Sequence, residues 1–141
     1  MEVYIKKVLS FIVIVALCAG LLSACQVTYP VSESDSYFED TMQLLSAGDI
    51  KAAKELNGII KGDVMEEQLQ TAMECLGGRK VTDYKKTSSE ITNKTCSGEP
   101  MTQENATYEV TLGDGTVLIF HTFYGDGLGR KGLMNLELQS D

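Results

Sequence analysis

The sequence has 141 residues, with 12 basic and 20 acidic side chains, a formal charge of −8, four cysteines, one histidine and no tryptophan. A surface this negative is repelled by phosphate backbones and anionic lipid heads, which excludes nucleic acid as a partner. A single histidine and few thiols leave little material for a metal centre or a nucleophile–base pair.

Lys6 and Lys7 precede an apolar run from Val8 to Leu22, and small residues then lead to Cys25. A charged start, an apolar stretch and a small-residue cleavage region in that order predict a secretory signal over residues 1–24. Fifteen apolar residues rise only about 22 Å as a helix, short of the roughly 30 Å hydrocarbon layer of a permanent span. Leu22-Ser23-Ala24-Cys25 resembles the bacterial lipobox, which implies diacylglycerol on the Cys25 thiol and cleavage between Ala24 and Cys25. One myristoyl chain holds a protein only reversibly, whereas two or three acyl chains anchor it firmly. The expectation is an exported protein held by lipid on the cell membrane or the outer membrane. Gln26, in place of Asp after the lipidated cysteine, resembles the pattern that permits outer-membrane sorting. Removal of Lys6, Lys7 and Glu2 with the signal leaves 117 residues carrying 10 basic and 19 acidic side chains. That length is one domain's worth of core.

Residues 25–33, with Pro30 and no apolar period, read as a lipidated tether to a domain over 34–141. Phe38, Met42 and Leu45 recur at helical spacing and Gly48 supplies a stop. Asp49 caps a short second helix carrying Ile50, Ala53 and Leu56, which Gly58 ends. Asp63 and Glu66 spell a capping box, and Met65, Leu69, Ala72, Met73 and Leu76 form the stripe of a third helix before Gly77-Gly78.

The pattern then changes to β-prone stretches over 80–96, 107–112, 116–124 and 133–139, separated by Gly, Pro, Asn and Asp. Gly113-Asp114-Gly115 predicts a hairpin with two open registers. A two-residue turn sets His121 opposite Tyr108, and a three-residue turn sets Phe120 there. The second gathers Tyr108, Val110, Leu112, Leu118 and Phe120 on one face, a cleaner apolar set. Val117, Ile119, His121 and Phe123 then point away from the helices, forming a candidate interface for a protein partner or a second copy.

Cys18 leaves with the signal and Cys25 takes lipid, so Cys75 and Cys96 remain, and a disulfide between them is one of two readings, the other being buried free thiols. Cys75, Cys96 and His121 lack the paired close spacing of a zinc site, so no metal and no cofactor is expected. Gly127 to Gly132 spells GxGxxG, but no helix pattern follows, so it reads as a hairpin loop.

Helices first and antiparallel strands after is an α+β layout, with N-terminal helices packed on a curved sheet of about four strands. LLSAGDIKAAKEL, CLGGRKVTDY and ATYEVTLGDGTVLIFHTFYGDGLGRKGLMNLELQ are similar to stretches of small exported proteins with the nuclear transport factor 2-like fold. The resemblance implies a cone-like sheet around a long helix with a cavity at its wide end, and carries over no catalytic residue. The alternative architecture is the two-helix, three-strand lipoprotein of outer-membrane assembly machinery. The function expected is a non-enzymatic binding or interaction module beside the membrane. A small-ligand or sensing domain using the helix–sheet cavity is the second reading, and a small hydrolase or isomerase the last.

Overall fold

A computed structural model describes residues 29–139, so Ala24, Cys25 and the signal lie outside the described residues. Three helices, α1 (Glu33–Ser46), α2 (Ile50–Leu56) and α3 (Val64–Leu76), precede four strands, β1 (Val81–Cys96), β2 (Glu99–Leu112), β3 (Val117–Gly127) and β4 (Arg130–Leu138). The strands form one antiparallel sheet in the order β1-β2-β3-β4. This is an α+β fold with one helix and one strand more than the outer-membrane assembly lipoprotein considered above.

Each helix starts and stops where its sequence directs. Asp35 reaches back so that its carboxylate accepts from the Ser32 N–H at 3.0 Å, and Asp49 and Asp63 accept from the amides of Ala52 and Met65. Gly77 ends α3 in the left-handed conformation (φ +57°). Glu66 departs from the expected capping box: its carboxylate accepts from the Gly62 N–H and pairs with Lys54 at 3.1 Å, tightening the loop ahead of α3.

The hairpin after β2 takes the three-residue turn, since Tyr108 pairs with Phe120 and Val110 with Leu118. Tyr108, Val110, Leu112 and Phe120 are therefore buried against the helices, and Leu118 packs at the margin of the core. Phe38 of α1 stacks on Tyr108 with centroids 4.0 Å apart and meets Phe120 edge-on at 6.0 Å.

The glycine-rich stretch expected as a loop is mostly strand. Gly125 pairs with Gly132, Asp126 with Lys131 and Gly127 with Arg130, leaving only Leu128 and Gly129 in the turn. Close approach explains the glycines: a Cβ on Gly125 would lie 2.6 Å from the Met134 side chain, and one on Gly132 would lie 2.8 Å from the Asn57 backbone. β4 is an edge strand, and two of its amides are met by side chains from the end of α2 and from α3. Leu133 N–H donates to Asn57 Oδ1 and Leu136 N–H to Gln68 Oε1, both at 2.9 Å.

The alternating run of elements gives the domain two ends. Residues 29–32, the loop from Asn57 to Asp63, the β1–β2 turn and the β3–β4 turn gather at one end, tied by Arg130 to Asp63 and Lys131 to Glu33. The helix-1 C-terminus, Gly77–Arg79 and the Gly113–Gly115 turn gather at the other, where Arg79 bonds Asp114, Thr116 and the Leu76 carbonyl.

Candidate functional site

Side chains alternate along a strand, so the register that turns Phe120 inward turns Val117, Ile119, His121 and Phe123 to the opposite face of the sheet. No described helix lies over that face. Val117 is 52 % exposed, His121 is exposed, and Ile119 and Phe123 are half-buried among their neighbours. His121 stands between two partners: Nδ1 is 3.0 Å from Thr107 Oγ1 and Nε2 is 3.0 Å from Gln139 Oε1. An amide oxygen only accepts, so Nε2 is the donor to Gln139, and Nδ1 shares a hydrogen bond with the Thr107 hydroxyl. With both nitrogens engaged, the ring bonds no serine hydroxyl and no thiol.

Beside His121 the outer face dips into a hollow of about 370 Å³ lined by Ser88, Glu90, Asn105 and Thr107. It lies next to the irregularity between Lys86 and Ser88, where the β1–β2 register shifts. Small side chains on β1 and β2 leave the depression unfilled.

The disulfide reading is corrected. Cys75 and Cys96 are free thiols at opposite ends of the domain. Arg79 donates to the Cys75 carbonyl, fixing Cys75 beside the start of β1, while Cys96 closes that strand fifteen residues beyond Val81. At about 3.3 Å per residue that is tens of ångströms, against the roughly 7 Å between alpha carbons that a bridge allows. His121 lies on the face of a different strand, and among the described residues no three metal-binding side chains converge.

Sequence reasoning did not find the most elaborate polar cluster, which sits on the inner face. Lys86 Nζ lies 2.8 Å from Glu104 Oε1 and 2.9 Å from Asp35 Oδ1, with side-chain exposures of 8 % for Lys86 and 3 % for Glu104. Ser89 donates to Glu104, Tyr108 donates to Asp35 at 2.6 Å, and Ser34 Oγ lies 3.0 Å from the Tyr108 hydroxyl. Lys86 also donates to the Pro30 carbonyl and Ser32 Oγ, both at 3.3 Å.

Burial pushes the Glu104 and Asp35 carboxyls up, but hydrogen bonds from Lys86, Tyr108 and serine groups outweigh it and hold both below the ordinary range. Burial likewise opposes the charge on Lys86, and its two carboxylates reverse that and raise it. Burial first, and then the Asp35 hydrogen bond, raise the Tyr108 phenol. Lys86 is thus held as an ammonium between two carboxylates, and the cluster is a latch joining the incoming chain to the sheet. The only sequence trace of it is a Lys and a Glu at inward positions of adjacent strands, visible once the register is known.

No protein family, curated protein or solved structure matches the chain.

Proposed function

We propose that this protein is a lipid-anchored lipoprotein of the cell envelope, on the exported side of the cell membrane or the outer membrane, whose domain is a non-enzymatic binding or interaction module. The observation that carries the binding role is the outer sheet face, where Val117, Ile119 and Phe123 stay partly exposed on a chain otherwise rich in charge. Lipid on Cys25 is supported by the lipobox and the signal ahead of it. A role without catalysis is supported by His121, whose ring is occupied by Thr107 and Gln139. The nuclear transport factor 2-like assignment, with its cone-like sheet, belongs to the same proposal. It is supported by helices preceding an antiparallel meander and by two register shifts that bend β1.

The occupant is a protein, either a partner or a second copy. Ile119→Lys, assayed by cross-linking in intact envelope and by circular dichroism of the purified protein, is expected to fold normally and lose a cross-linked species. An Ile119→Lys protein that keeps every cross-link would remove this face from consideration, and one that unfolds would make Ile119 a core residue.

A further inference from the structure

Six large apolar side chains are strongly exposed among the described residues: Val31, Ile60, Val64, Ile91, Val117 and Leu128. Five of them lie at one end of the domain. Val31 lies just ahead of the α1 N-cap, between Pro30 and Ser32, which Lys86 holds. Ile91 pairs with Glu104, the residue that binds the same lysine. Ile60 and Val64 flank Asp63, which Arg130 meets at 3.1 Å, and Leu128 forms the turn just before Arg130. Only Val117 lies at the other end, beside the Gly113–Gly115 turn. Isolated exposed aliphatic residues are ordinary, but five around one end of a small domain make a surface.

Charge at this end is also unusual for so acidic a chain. Glu33 pairs with Lys131 at 2.7 Å, Asp63 with Arg130, Asp126 with Lys131 at 3.8 Å, and Asp35 and Glu104 with Lys86. Five of the carboxylates at this end thus share three cations, which offsets part of their negative charge.

We propose that this end, rimmed by Val31, Ile60, Val64, Ile91 and Leu128, rests on a lipid surface, an inference that stands on the lipid-anchor reading. Chain length selects that occupant. Lys86 holds the Pro30 carbonyl, and Cys25 lies five residues upstream, so an extended backbone spans at most about 18 Å between the latch and the lipidated residue. The lipidated residue is therefore never farther than that from the latch, which Val31 adjoins at this end of the domain. The contact is made by aliphatic side chains, so it is apolar in kind and depends little on salt.

Because the sequence has no tryptophan, a single introduced one reports its own surroundings. Full-length lipidated Ile91→Trp, Leu128→Trp and Val117→Trp are reconstituted separately in phosphatidylethanolamine–phosphatidylcholine vesicles with brominated acyl chains. Ile91→Trp and Leu128→Trp are expected to show quenched, blue-shifted emission at low and high salt, and Val117→Trp unquenched emission. Rim reporters as bright as Val117→Trp, in protein whose mass shows acylated Cys25, overturn the rim contact and leave the anchor standing. Quenching equal at all three positions overturns the assignment to this end. Protein without acyl mass that does not float with the vesicles overturns the anchor itself, and the rim contact with it.

Discussion

Lys86 shows how one residue sets the behaviour of its neighbourhood. A buried charge is tolerable only when its partners are close and hydrogen-bonded, and removing one partner strands the others at a cost of about 3–5 kcal/mol. Lys86→Met is therefore expected to destabilise the protein by about 3 kcal/mol at neutral pH, read by urea unfolding. The pH dependence carries the sign. Glu104 and Asp35 titrate below their ordinary values of 4.5 and 3.8, so their contribution is complete above those values and is lost as pH falls through the depressed ones. Lys86, raised above 10.5, contributes below that value and loses its share only as pH rises through the raised one. Thermal stability should be flat between these limits and fall in acid. In Lys86→Met the acid limb should reverse, because protonation then relieves two unpaired carboxylates. A variant that still loses stability in acid as the parent does would show that other groups dominate.

Asn57 argues at the same scale. It is fully buried, donates to Thr41 Oγ1 and the Ala53 carbonyl, and accepts from Leu133 N–H. Asn57→Ala leaves that strand amide without a partner, and a loss of about 2 kcal/mol in denaturant unfolding is expected. A neutral result would mean that water replaces the side chain.

At the scale of elements, Asp63 does two jobs at the start of α3. One carboxylate oxygen caps the Met65 amide and the other faces Arg130. Asp63→Asn should keep the cap and lose only the ion pair, while Asp63→Ala should cost about 1 kcal/mol more. Equal midpoints for the two variants in thermal unfolding would assign the whole effect to Arg130. The helices were legible because each combines an apolar period with a cap and a glycine stop. The strand ends were less so. Glu99 to Ala106 carries few apolar residues, yet it pairs along its length because β1 supplies the ladder, a contact with no local trace. Gly125 to Gly132 reads as a loop for the converse reason: its glycines answer Met134 and Asn57, which are remote in sequence or across a turn.

For the whole molecule, the two thiols test the placement of the ends. Alkylation of denatured protein without reductant is expected to label Cys75 and Cys96 fully, with no linked peptide pair and no change of melting temperature on adding reductant. A Cys75–Cys96 linked peptide would require the two ends of β1 to be brought together. The sequence by itself determined the three helices and the helix-then-strand order, because each rests on signals within a few residues. It also narrowed the β2–β3 hairpin to two registers, of which the more apolar pairing is the one found. Only tertiary structure decided that Lys86, Glu104 and Asp35 share a buried site and that Cys75 and Cys96 lie far apart. It also decided that Val31, Ile60, Val64, Ile91 and Leu128 meet at one end, because all three depend on which distant segments the sheet and the helix reversals bring side by side.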